Sequence, residues 1–118
     1  MIYFLIPVFN EEKNIPNLFA ELCSVAFQED IMYVFSDDGS KDNTLAVIKE
    51  CFSSVNYIVL GDRKNYGPGN AFNIGFEWIL THSSNVNDII VTMEADTTSD
   101  LTILHNMISI NRLGYPLV

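Results

Sequence analysis

Residues 2–8, 31–36, 57–60 and 88–93 form apolar runs that are nearly continuous rather than alternating. Strands covered by helices on both faces have this pattern, whereas a strand with one wet face alternates. Between the runs the apolar period lengthens to that of a helix. Ile15, Leu18, Phe19, Leu22 and Val25 share one face, Leu45, Ile48 and Phe52 a second, and Ala71, Ile74 and Trp78 a third. Leu101, Leu104, Met107 and Ile108 predict a fourth helix, with Ser99 or Asp100 as N-cap and Gly114 and Pro116 ending it. The element order is therefore βαβαβαβα. Right-handed crossovers turn such an order into an open, mainly parallel sheet of about four strands flanked by helices, with ligands collected at the carboxyl ends of the strands.

Chemistry is thus expected in the loops that follow the strands. After the first run, Pro7-Val8-Phe9-Asn10-Glu11-Glu12 ends a strand at Pro7, offers Asn10 as a helix cap, and presents Phe9 and Glu11 to a nucleoside slot. The second run ends in Ser36-Asp37-Asp38-Gly39-Ser40. Adjacent carboxylates repel and are costly unless something uses them, and a carboxylate accepts hydrogen bonds from a base imide or ribose hydroxyls. Asp42 reads as a cap for the following helix. Asn65-Tyr66-Gly67-Pro68-Gly69-Asn70 is a glycine-punctuated helix entry whose free amides can face an anion, although it is neither a Walker loop nor a GxGxxG fingerprint. Gly75 reads as a point of close helix-sheet packing. The last run delivers Glu94-Ala95-Asp96, where alternation sends Glu94 and Asp96 to the same side. Two hard oxygen donors there suit Mg²⁺ or Mn²⁺ bridging the phosphates of a nucleotide diphosphate.

Composition narrows the partners. The chain has 118 residues, 48% of them hydrophobic, enough for one globular domain over residues 1–118. Six basic against fifteen acidic residues leave a net charge of -9, which argues against nucleic acid as a partner. Cys23 and Cys51 fall in apolar helical patterns without metal-ligand spacing and are expected to be buried thiols in a reducing compartment. The apolar start lacks a basic leader and stops at Pro7, too short for a signal peptide or membrane span. His82 and His105 have no partner acid or nucleophile nearby in sequence, and Phe72, Phe76 and Trp78 have the spacing of packing residues.

Taken together, loops 6–12 and 36–44, Asn65 with Gly67 and Gly69, and Met93-Glu94-Ala95-Asp96 resemble the family-2-type glycosyltransferases of the GT-A fold, including polyprenyl-phosphate sugar transferases. The resemblance covers essentially the whole chain and implies the Rossmann-like, nucleotide-sugar-binding half of an inverting enzyme. Pro7, Phe9, Glu11, Asp37, Asp38 and Gly67 would bind the donor, and Glu94 and Asp96 would occupy the DxD metal motif, with Mg²⁺ or Mn²⁺ as cofactor. Glu94 replaces the usual first aspartate, so Asp96 is the expected direct ligand and Glu94 takes a sugar, ribose or water-mediated role. Phe72 stands where many relatives carry a basic residue. The resemblance puts the general base beyond Val118, with the acceptor surface. The implied partners are a nucleotide-diphosphate sugar and a lipid-linked or polysaccharide acceptor. The implied location is the cytoplasm, at the inner face of the membrane if the acceptor is lipid-linked. An apolar face prepared for a missing half would favour a homo-oligomer.

Rival readings fit less well. A sugar-phosphate nucleotidyltransferase wants a basic, glycine-rich loop after the first strand, where this chain is acidic. A receiver domain wants its acid pair after the first strand rather than the second. A non-catalytic nucleotide-binding or interaction module fits the same loops.

Overall fold

The computed structural model describes residues 1–24, 30–62 and 64–95. Its elements are β1 (Ile2–Val8), α1 (Ile15–Ser24), β2 (Ile31–Asp37), α2 (Thr44–Phe52), β3 (Tyr57–Leu60), α3 (Pro68–His82) and β4 (Ile89–Thr92). The fourth helix expected from Leu101, Leu104, Met107 and Ile108 lies outside the described residues, as do Val25, Asp96 and His105. No helix among the described residues is long and apolar enough to cross a membrane.

All pairings are parallel, and the strand order is β3-β2-β1-β4. Passing from β1 to β2 to β3 steps in one direction across the sheet and puts α1 and α2 on one face. The step from β3 back to β4 reverses direction, so a right-handed crossover puts α3 on the opposite face. Strand alternation divides the core accordingly. Ile2, Phe4, Ile6, Val8, Tyr33 and Phe35 point to the α1/α2 layer with Ile15, Leu18, Ile48 and Phe52. Tyr3, Leu5 and Val34 point to α3 with Ile79.

The α1/α2 layer is centred on Phe52, which is fully buried. Its ring meets Phe19, Phe35 and Tyr33 edge-on, with centroids at 4.9, 4.8 and 5.2 Å. Such pairs add to the burial of the rings themselves. Burial pushes the Tyr33 hydroxyl up to about 12, with a smaller contribution from Cys23. On the other face α3 lies so close to the sheet that a Cβ at Gly75 would come within 2.0 Å of Leu5 Cδ1, which bears out the packing expected there.

Three expectations are corrected. The buried stripe of α3 is Ala71, Gly75 and Ile79, with Ile74 only half-buried, because the helix is rotated toward the Gly75 contact. Cys23 is exposed and Cys51 half-buried, since α1 buries Ile15, Leu18 and Leu22 and Cys23 falls a further 100° around the helix. Tyr57–Leu60 is half-buried throughout rather than fully covered, because among the described residues β3 is an edge strand with a neighbour on one side only.

Truncating Phe52 to alanine is expected to cost about 3–5 kcal/mol, the range for large-to-small changes at buried aromatics. Val86→Ala, at a side chain 99% exposed, should change stability by less than about 0.5 kcal/mol. Urea denaturation of the two variants beside the parent checks the contrast.

Candidate functional site

The strand order reverses between β1 and β4, and an open α/β sheet splays its loops apart at such a point. A cavity of about 350 Å³ opens there, within the usual range of small-molecule sites. Pro7, Val8 and Phe9 form its β1 wall, Asn65, Gly67 and Ala71 its α3 wall, and Glu94 and Ala95 its β4 wall, with Glu11 and Asp38 completing it. Six of the eight residues expected to bind donor therefore meet in one place: Pro7, Phe9, Glu11, Asp38, Gly67 and Glu94.

Hydrogen bonds between residues about thirty apart in sequence hold the loops in register. The Asn10 amide donates to the Ser40 hydroxyl at 2.9 Å, and the Lys41 amide returns a bond to Asn10 Oδ1 at 2.8 Å. The Glu11 amide donates to the Thr44 hydroxyl at 2.8 Å, and the Asp38 amide to the Val8 carbonyl at 2.9 Å. Asn10 is therefore a loop tie with positive φ, not the cap of α1. The turn into that helix is set by the Glu11 carbonyl, which accepts from the Asn14 and Ile15 amides. The cap position of α2 is Asn43, whose side chain makes no cap bond; Asp42, one residue earlier, takes the Thr44 amide at 2.9 Å and the Thr44 hydroxyl, and also accepts from the Glu12 amide at 3.4 Å. Partial desolvation raises the pKa of its carboxyl, but these hydrogen bonds outweigh it and hold the group below its ordinary value.

The acid pair divides its work. Asp37 is 5% exposed, and its oxygens accept the Gly39 and Ser40 amides at 3.2 Å, folding its own turn; it does not line the cavity. Asp38 is 8% exposed and reaches across to the loop after β3, accepting the Tyr66 amide at 2.8 Å and the Gly67 amide at 3.1 Å. Gly39 lies between the two loops with φ 81°, and a Cβ there would come within 2.7 Å of the Lys64 carbonyl carbon. Only glycine lets the loops approach this closely.

Glu94 continues the line of β4. Met93 and Ala95 are buried on the α1/α2 side, so Glu94 turns to the α3 side, exposed at the cavity and without a hydrogen bond or ion pair among the described residues. Its expected companion Asp96 is outside those residues. Among the described residues no group of three or more His, Cys, Asp or Glu could hold a metal ion by itself. A carboxylate at a cavity edge is the donor type that Mg²⁺ and Mn²⁺ take, one or two at a time, with substrate phosphates and water completing the shell. Phe72 packs into the α3-side core and leaves the cavity wall to Ala71. Val8, Ala71 and Ala95 carry no motif chemistry, so only the fold reveals them as lining. His82 stacks on Trp78 at 4.1 Å and pairs with the Trp78 carbonyl, away from the cavity.

A parallel α/β sheet with an acidic cavity at its switch point is the open, doubly wound architecture that gathers ligands at the carboxyl ends of its strands. Residues 3–109 match the family described as Glycosyl transferase family 2, and the chain belongs to that family. It is 31% identical to an undecaprenyl-phosphate 4-deoxy-4-formamido-L-arabinose transferase of Shewanella sediminis, over 97% of this chain and 34% of that protein. An uncharacterized glycosyltransferase of Synechocystis is 29% identical over 97% of this chain and 35% of its own length. An uncharacterized protein of Methanocaldococcus jannaschii is 33% identical over 78% of this chain and 38% of its length. The chain spans about a third of the length of the curated relatives it matches.

Replacing Asp38 by alanine should free the Tyr66 and Gly67 amides. A hydrogen bond to a charged group contributes about 1.5–3 kcal/mol, so their hydrogen exchange should accelerate roughly 10- to 100-fold. Amide exchange followed by NMR reads this directly; unchanged protection at both amides would show that the loop is held by other contacts.

Proposed function

We propose that this chain is the donor-binding half of a glycosyltransferase that takes its sugar from a nucleotide diphosphate in the presence of Mg²⁺ or Mn²⁺. The observation that carries the reading is the Glu94 carboxylate, unpaired among the described residues, at a cavity otherwise walled by Pro7, Phe9 and the Asp38-held Gly67 loop. Phe9, 43% exposed at the rim, offers a ring face to a base, and Asp38 keeps lone pairs for an imide or ribose donor. The uncapped first turn of α3, entered through Gly67, offers the Gly69 and Asn70 amides toward a diphosphate.

Glu94 and Asp96 would hold the cation, Asp96 directly and Glu94 directly or through water. A cation held there would supply positive charge to offset that building on a departing diphosphate. Transfer forms a bond from an acceptor oxygen to the anomeric carbon and breaks the bond to the diphosphate oxygen. The acceptor proton passes to a base outside the residues described. Glu11, whose carboxylate accepts from the Asn14 side chain at 2.7 Å, helps hold the donor side of the cavity in place. The Shewanella relative is named for undecaprenyl phosphate, which favours a lipid-linked acceptor over a polysaccharide. A lipid-linked acceptor and a nucleotide donor would meet at the cytoplasmic face of a membrane.

Calorimetric titration with UDP- and GDP-sugars should show binding to one of them that strengthens at least tenfold on adding Mn²⁺. Asp96→Ala is expected to abolish that strengthening, a loss of about 1.4 kcal/mol or more. Nucleotide binding that ignores the metal in the parent chain would count against the proposal, and metal dependence surviving in Asp96→Ala would remove Asp96 from the ligand set.

A further inference from the structure

Ser36 is fully buried, and its hydroxyl oxygen has no hydrogen-bond partner; among the described residues no other buried side-chain oxygen or nitrogen is in this state. Alternation along β2 puts Ser36 on the α3 side with Val34. Its neighbours in register are Pro7 of β1 and Leu60 of β3, so the surroundings on that face are apolar. An alanine would be satisfied there, whereas the unpaired hydroxyl costs the free protein stability.

The acceptor within reach of this hydroxyl is the Asp38 carboxylate. The Asp38 amide donates to the Val8 carbonyl at 2.9 Å, which carries the β1–β2 ladder one residue beyond Asp37. Side chains two residues apart on a strand share a face, with roughly 7 Å between their bases. Ser36 therefore lies directly beneath Asp38, which lines the cavity with Pro7. The carboxylate is turned to the loop after β3. Its Oδ1 accepts the Tyr66 and Gly67 amides at 2.8 and 3.1 Å, and its Oδ2 accepts the Gly67 amide at 3.2 Å. A nucleoside that engages the carboxylate competes with these amides, and a buried charge drawn away from them needs another donor.

We infer that Ser36 is a positioning residue of the cavity, whose hydroxyl donates to the Asp38 carboxylate once a nucleoside engages it. The inference rests on the reading of the cavity as a nucleotide site. A hydroxyl without a partner in the free protein and with one in the complex weakens the first and strengthens the second. A side chain that only fills space has no such opposed effects.

The test is Ser36→Ala in the 118-residue chain, read by urea denaturation and by calorimetric titration with UDP and GDP in Mn²⁺. The urea midpoint should be no lower than the parent's, while affinity for the nucleotide that the parent binds should fall about tenfold. Ser36→Thr, which keeps the hydroxyl, should bind within about threefold of the parent. Unchanged affinity in Ser36→Ala, or a fall in affinity accompanied by a lower urea midpoint, overturns the inference and leaves the nucleotide role of the cavity standing. So does a Ser36→Thr variant that is as stable as the parent yet binds as weakly as Ser36→Ala. A parent chain that binds neither nucleotide overturns the nucleotide role, and this inference with it.

Discussion

The Asp38 carboxylate is the contact on which the cavity depends. It is almost entirely withdrawn from water, yet no cation compensates it among the described residues; its partners are the Tyr66 and Gly67 amides. Burying a charge is costly unless it is hydrogen-bonded, so the amides and the carboxylate hold one another in place. Asp37 does the same for its own turn. The two acids can stand side by side because each has a separate set of donors. Asp37 sets the turn after β2 and Asp38 draws the loop after β3 onto it, beside the cavity between β1 and β4.

That opening is where the strand order reverses, and the layers beneath it explain its rigidity. The Phe52-centred aromatic cluster holds α1 and α2 against one face, while the Gly75–Leu5 contact seats α3 on the other. Both sets of loops therefore spring from fixed bases. The ties of Asn10 to Ser40 and Lys41, and of Glu11 to Thr44, connect the two loops on the α1/α2 side. A cavity prepared in this way loses little conformational entropy when it takes a ligand.

Much of the fold was legible because doubly covered strands are near-continuous apolar runs, and β1 and β2 match theirs to within one residue. β3 and β4 were harder to judge, since sequence does not say which strands end up at the edge. Helix faces were readable as periods but not as rotations: Gly75, without a side chain, turned α3 away from the stripe suggested by Ile74, and Cys23 fell just outside the buried face of α1. At the site, residue types pointed to loops that the fold brings to one cavity. What they could not convey were hydrogen bonds spanning about thirty positions, which make Asn10 a tie rather than a cap and give Asp37 and Asp38 different duties. Val8, Ala71 and Ala95 are lining residues by position alone.

The central claim is that the Asp38-held opening between β1 and β4 is where the donor nucleotide sits. Mapping amide chemical shifts while UDP or GDP is added with Mn²⁺ tests it most directly. The account predicts perturbations concentrated at Val8, Phe9, Asp38, Gly67, Ala71 and Glu94, with little change at Leu60, Trp78 and His82 on the far side of α3. Perturbations clustered at that second group, with the first unmoved, would contradict it.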